Sequence, residues 1–207
     1  SSDVCSSDLY SNDGGQTWTD GGAPFVVSTS GGDKITRGDP AMDVGGYGND
    51  TFYYANLAVD TTSPSPGIGG MTVHAGSFSA KDFNWHSGTF IQSPNAPNDF
   101  LDKELIAADK RGSSDNVYVS VTNFKEVAGI PFFGFGQIEV YYSTDGAATF
   151  NRSIVQPDET ISVPLNEGIV NQGSEPAVGP DGTVYLAWER GYLSPFFGQA
   201  AAGVYPQ

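Results

Sequence analysis

Ser11-Asn12-Asp13-Gly14-Gly15-Gln16-Thr17-Trp18 is the stretch that decides the fold. Its residues describe a hairpin turn with internal chemistry. Asp13 is short and polar, suited to accept hydrogen bonds from backbone N–H groups inside the turn. Gly14 and Gly15 can take φ > 0, where a Cβ would clash. Trp18 opens the next strand and is expected to bury its ring between neighbouring sheets. A second copy, Ser143-Thr144-Asp145-Gly146-Ala147-Ala148-Thr149-Phe150, begins 132 residues later, which is twice 66. A turn repeated at such a period marks one supersecondary unit used again and again. In the second copy Ala147 replaces a glycine and Phe150 the tryptophan, a weaker version of the same turn.

Composition fits many short strands. The 207 residues carry 27 glycines and 26 aromatic side chains, and no convincing amphipathic helix is visible. The 24 acidic and 9 basic side chains leave a net charge of −15. That balance argues against nucleic acid and anionic membranes, which need a basic face. It suits a soluble protein in a saline or calcium-rich exterior. No run approaches the ~18 apolar residues of a membrane span. A single cysteine, Cys5, offers no disulfide framework.

The two turns resemble the Asp-box (BNR repeat) of sialidase-like β-propellers, S-x-D-x-G-x-T-W, with Ser11, Asp13, Gly15, Thr17 and Trp18 in the first copy and Ser143, Asp145, Thr149 and Phe150 in the second. The resemblance covers nearly all of residues 10–207 and implies an all-β fold. The fold it implies is an incomplete β-propeller of four-stranded antiparallel blades, about three of an expected six. Six blades of 66 residues need ~400 residues, so a piece of a longer protein is expected. The turn-ending aromatics Trp18, Trp85 and Phe150 set the register. They give a blade end over 10–27, a blade over 39–92, a blade over 104–155 and a partial blade over 175–207. In the second blade, the stretch from Ser79 to Trp85 is read as an eroded Asp-box.

Function is expected beside the innermost strands. Asp39-Pro40-Ala41, Glu104-Leu105-Ile106 and Glu175-Pro176-Ala177 stand at equivalent places, each acid just before such a strand. The loops on that rim include Pro131-Phe132-Phe133-Gly134 and Pro195-Phe196-Phe197-Gly198. Acids framed by paired phenylalanines suit a sugar or a cation, because aromatic faces stack on sugars and carboxylates accept hydroxyl hydrogen bonds. The ligand-binding set is therefore Asp39, Glu104, Glu175, Phe132, Phe133, Phe196 and Phe197. The bland readings are that the acids brace their own blades and the phenylalanines cover adjacent ones.

The resemblance also implies sialidase chemistry as one option. That family holds a substrate carboxylate with three arginines, and uses a tyrosine–glutamate nucleophile and an aspartate acid/base. Nothing matches its aromatic-Arg-[Ile/Leu]-Pro segment. Partial matches are Arg37 beside Asp39, and Glu175 with Arg190, the arginine one residue late. A one-residue slip turns a strand side chain to the other face unless a bulge intervenes. Arg111 and Arg152 read as solvated surface. His74 and His86 lack metal-ligand spacing, and Arg37-Gly38-Asp39 is a short tripeptide of the adhesion type. Asn49-Asp50-Thr51 and Asn151-Arg152-Ser153 are glycosylation-type triplets. No metal site is assigned; Asp43, Asn49 and Asp50 form only a loose Ca2+ possibility. The expectation is thus a secreted or surface propeller recognising a glycan or glycoprotein. An exo-sialidase or other glycoside hydrolase, completed by residues elsewhere, and a protein-interaction scaffold are the alternatives.

Ser1-Ser2-Asp3-Val4-Cys5-Ser6-Ser7-Asp8-Leu9 resembles the in-frame translation of a common short-read sequencing adapter. On that reading residues 1–9 say nothing about the native fold, and Cys5 would not be native. Sequencing unfragmented source DNA across this start is expected to show other codons; the same codons would refute the reading.

Overall fold

In the computed structural model, residues 9–29, 31–36, 38–46, 48, 50–60, 70–80, 82–94, 99–112, 114–125, 136–162 and 167–193 are described. Among them all regular structure is β. The strands, in chain order, are β1 Leu9–Tyr10, β2 Thr19–Asp20, β3 Val27–Thr29, β4 Gly32–Thr36, β5 Ala41–Gly45, β6 Thr51–Asp60, β7 Gly70–Ser79 and β8 Asp82–Gln92. They continue with β9 Asp99–Ala108, β10 Val117–Lys125, β11 Gln137–Ser143, β12 Asn151–Gln156, β13 Glu159–Ser162, β14 Glu167–Val178 and β15 Val184–Leu193. Every ladder is antiparallel.

Four sheets result. β1 and β2 form a hairpin; β9 to β12 form a four-stranded meander; β13, β14 and β15 form a third sheet. The largest runs β3-β4-β6-β7-β8, with β5 also on β6. It curls until its edges nearly meet, with Val27 Cγ2 2.9 Å from where a Cβ on Gly88 would stand. The result is a nearly closed, barrel-like sheet of five strands. Alternation along β6 and β7 explains how it is buried twice. Tyr53, Ala55, Leu57, Met71, Val73 and Ala75 face the meander, where they join Leu101, Ile106, Val117, Val119 and Val121 in one core. Tyr54, Asn56, Thr72 and His74 alternate with them, are also buried, and so face the concave side.

The quoted turns form as their residues dictate. Asp13 accepts from Gln16 N–H (3.0 Å), Thr17 N–H (3.0 Å) and Thr17 Oγ1 (2.6 Å), and Ser11 Oγ accepts from Gly15 N–H. Asp145 repeats this with Thr149 N–H (2.9 Å) and Oγ1 (2.6 Å), and Ser143 Oγ with Ala147 N–H. Both turns bridge a tyrosine and the residue nine positions on, Tyr10↔Thr19 and Tyr142↔Asn151. These bonds hold Asp145 at about pKa 2 and depress Asp13 as well, the threonine hydroxyl being the largest cause in each. Gly14 and Gly15 lie at φ 74° and 87°, and Ala147 takes the same left-handed region at φ 69°.

The aromatics depart from expectation. Trp18 is 61% exposed rather than buried between sheets, its ring lying over Gly15. The hairpin's inward contact is made by Tyr10, edge-on to Phe78 at 5.1 Å. Phe150, by contrast, is partly buried against the core. Trp85 does not close a turn of this kind. The β7–β8 hairpin pairs Ser79 with Asp82, so Trp85 already lies in the ladder opposite Gly76, and no eroded Asp-box is present there. Strands also begin earlier than the sequence pattern suggests: β9 starts at Asp99 and β14 at Glu167.

Polar clamps join sheet to sheet. Asp43 of β5 accepts from Ala108 N–H of β9 (2.9 Å) and pairs with Lys110 (2.9 Å). Arg111 grips buried Asp109 through Nε and Nη2 and donates to Asp181 O in the β14–β15 turn (3.0 Å). Arg111 is thus exposed, as the sequence led one to expect, but it also bridges two sheets. Gly182 lies under that guanidinium at φ 88°, and a Cβ there would meet it at 2.3 Å. Gly182→Ala is expected to destabilise by at least about 1–2 kcal/mol from its left-handed backbone alone. Gly191→Ala, with open space around it, should shift stability by less than about 0.5 kcal/mol. Urea denaturation of the two variants checks this.

Candidate functional site

Strand breaks position the groups that the sequence singles out. In β9, Ser120 pairs with Leu105 and Thr122 with Asp102, so Lys103 and Glu104 face Val121 alone. In β14, Gln172 pairs with Glu189 and Glu175 with Ala187, so Gly173 and Ser174 face Trp188 alone. Between β4 and β5 the chain likewise leaves β6, and Leu57 N–H bonds to Gly38 O at 3.3 Å. The breaks in β9 and β14 are bulges, each with one extra residue that re-aims the strand, and the break between β4 and β5 is wider. At each, the residue two before re-pairing is left-handed: Asp39 (φ 50°), Lys103 (φ 56°) and Gly173 (φ 62°).

That register corrects the equivalence of the three acids. Asp39 stands level with Lys103 and Gly173; Glu104 stands level with Pro40 and Ser174; Glu175 lies one residue further on. Their exposures follow. Asp39 and Glu175 are exposed, whereas Glu104 is 1% exposed. What the fold brings together is a different group. Lys103 Nζ lies 3.4 Å from Asp39 Oδ2 and 4.0 Å from Asp102 Oδ1, bridging β9 to the segment before β5. Burial raises the Asp102 carboxyl, Lys103 opposes that, and the Asp39 carboxyl adds to it.

Glu104 is buried and neither carboxylate oxygen makes a hydrogen bond of normal geometry. Burial, reinforced by the neighbouring Asp39 and Asp102, pushes its pKa up to about 8, so it is a neutral acid at pH 7.

The other expected groups are dispersed. Glu175 and Arg190 do not meet: Arg190 pairs with Asn171 in the ladder and places its guanidinium on Glu159 of β13 (2.8 and 3.2 Å). Arg37, Asn49, Phe132, Phe133, Phe196 and Phe197 lie outside the described residues. Asp43 of the loose Ca2+ loop is engaged by β9, and among the described residues no three His, Cys, Asp or Glu side chains converge to hold a metal. His86 contacts Ser77 Oγ at 3.1 Å.

Sequence reading missed a buried polar network in the meander. Glu139 accepts from Arg152 Nε and Nη2 (2.7 and 2.5 Å), Tyr141 OH (3.0 Å), Asn123 Nδ2 (2.9 Å) and Gln137 Nε2 (2.5 Å). Arg152, expected as surface, is anchored to this buried carboxylate. Arg152 and the amide and phenol donors hold Glu139 below its usual range against burial. Burial first, then the Glu139 charge, raises Tyr141. A phenol so disfavoured as phenolate is a brace rather than an activated nucleophile. Alternation along β11 was the available signal: Gln137, Glu139 and Tyr141 share one face.

His74 is a second unmatched group. It is fully buried, neither ring nitrogen has a hydrogen bond, and Phe25, Tyr54 and Trp85 pack around it. Desolvation lowers its pKa to about 4.

No protein-family model matches the chain, and no curated protein shows significant similarity to it.

The two buried groups act in opposite senses on stability. The unfolded chain protonates His74 below its ordinary value of 6.5, so the folded state loses stability as pH falls from there towards 4. It ionises Glu104 above 4.5, so the folded state loses stability as pH rises from there to about 8. Between 4.5 and 6.5 the slopes, each about 1.4 kcal/mol per pH unit, cancel. Glu104→Gln is expected to remove the alkaline loss and uncover the His74 slope below pH 6.5. Denaturation curves from pH 4 to 9 that keep the alkaline decline in the variant would contradict this.

Proposed function

We propose that this chain is part of an Asp-box, sialidase-like β-propeller that recognises glycans outside the cell or on its surface. Three features support the architecture. The same aspartate-centred turn recurs 132 residues apart. β9 to β12 follow the up-and-down order of a propeller blade, as do β5 to β8. The leading strands β5, β9 and β14 pack beside one another across sheets. On this reading the barrel-like sheet is a blade to which β3 and β4 add a return.

The observation that carries the glycan reading is the rim formed at the bulges. Exposed Asp39 and Lys103, with partly exposed Asp102, hold acceptors and a donor at one edge between two leading strands. Such a set matches the alternating hydroxyl donors and acceptors of a sugar. The net charge of −15 suits a neutral or amino sugar better than an acidic one.

A sialidase-like glycoside hydrolase, completed by groups elsewhere, is the second reading. Glu104 has the protonation state a general acid requires at neutral pH, but its carboxyl is buried out of reach of solvent, which weighs against that role. The closure of Arg190 on Glu159 weighs against it.

A glycan panel probed with the full-length protein tests the proposal. Asp39→Ala and Lys103→Ala are expected to lower binding at least tenfold, and alanine at Phe132, Phe133, Phe196 and Phe197 to lower it further. Undiminished binding in all of these removes the rim from the function. Release of a fluorogenic sialoside, lost in Glu104→Gln, would move the assignment to the hydrolase.

A further inference from the structure

A groove of about 280 Å³ runs between the end of β8 and the face of β11 and β12. Thr89, Gln92 and Pro94 form one wall, and Tyr141, Phe150 and Arg152 the other. It is remote from the rim in the topology, since β8 and β12 are the last strands of their meanders while Asp39 and Lys103 stand at the first.

The groove is supported from beneath by one continuous chain of buried hydrogen bonds. Ser93, next to Pro94, donates to Asp99; Asn123 Nδ2 donates to Asp99 (2.9 Å) and to Glu139 (2.9 Å); Glu139 holds Arg152. Ser93, Asp99, Asn123 and Glu139 are all at most 3% exposed. Both walls are therefore tied to each other through the core. This is the arrangement that fixes a recognition group before a ligand arrives: a side chain on a strand, its rotamer set by a second layer of hydrogen bonds.

The chemistry at the surface follows from what that network uses. A guanidinium has five N–H donors in a planar fork. Two of its nitrogens, Nε and Nη2, are spent on Glu139, and the side chain remains 24% exposed at the groove. Phe150, partly exposed and packed on the core, and Gln92, exposed, line the same groove. A ring face with hydroxyl-binding donors and an amide across from them is complementary to a pyranose. The charge of Arg152 is already matched by the Glu139 carboxylate, so the groove has no surplus cation with which to select an acid.

We propose that this groove is a second saccharide site, taking a neutral hexose through stacking on Phe150 and hydroxyl contacts to Arg152 and Gln92. It rests on the glycan reading for its ligand class but not on the rim for its location.

Saturation-transfer NMR and calorimetry with methyl hexosides, and with methyl glucuronide as the acidic comparison, test it. The full-length protein is expected to bind at least one methyl hexoside with Kd on the order of 1 mM, and the glucuronide no better. Gln92→Trp fills the groove from an exposed strand position. It should weaken that binding at least tenfold without changing the melting temperature. Arg152→Lys keeps a cation on Glu139 but loses the fork, and should weaken binding as well. Absence of any hexoside binding, preference for the glucuronide, or full binding by Gln92→Trp overturns the proposal. If Asp39→Ala abolishes hexoside binding while Gln92→Trp preserves it, the groove is excluded and the rim reading stands. Loss in Gln92→Trp with full binding in Asp39→Ala excludes the rim instead.

Discussion

Burial of polar groups between stacked sheets is the constraint on which this structure turns. The inner strands β10 and β11 of the meander, and β6 and β7 of the barrel-like sheet, are largely buried on both faces, so a polar side chain there leaves water behind. Without a partner it costs free energy; with one it becomes a brace. Glu139 is the solved case, an ionised carboxylate surrounded by five donated hydrogen bonds. Glu104 and His74 are the unsolved cases, and both respond by staying neutral.

The same constraint explains how the sheets are joined. A strand that runs unbroken cannot offer its backbone to the next sheet. Where β14 bulges, backbone groups are released and captured by β10 of the neighbouring sheet. Ser120 Oγ donates to Ser174 O at 2.6 Å, and Gly173 N–H to Thr122 Oγ1 at 3.1 Å. The bulges cost strain at Lys103, a non-glycine residue in the left-handed region. They also deliver Lys103 to Asp39, which is how the rim of the proposed glycan site comes to exist.

The legible and illegible parts divide by distance along the chain. The turn at Asp145 needed nothing beyond residues 143–149, so its hydrogen bonds could be read in advance, as could the strands around it. The slip of Glu104 against Asp39 could not, because a bulge is decided by what the neighbouring strand offers, and the intervals in sequence do not show it. Arg152 looked like surface because its partner, Glu139, is thirteen residues away on another strand. Arg111 is on the surface as expected, but its bridge was not legible because its acceptor at Asp181 is seventy residues away. Trp18 looked like core because its turn matches that of Phe150, yet only Phe150 has a core to enter.

By itself, then, the amino-acid sequence determined an all-β antiparallel chain, the positions of its aspartate-centred turns, and a net charge of −15. These depend on composition, alternation and contacts within a few residues. The tertiary structure alone decided which acids face water, which are held neutral, and which guanidinium is presented at a groove. Those outcomes depend on desolvation and on partners from distant strands, neither of which exists until the sheets have stacked.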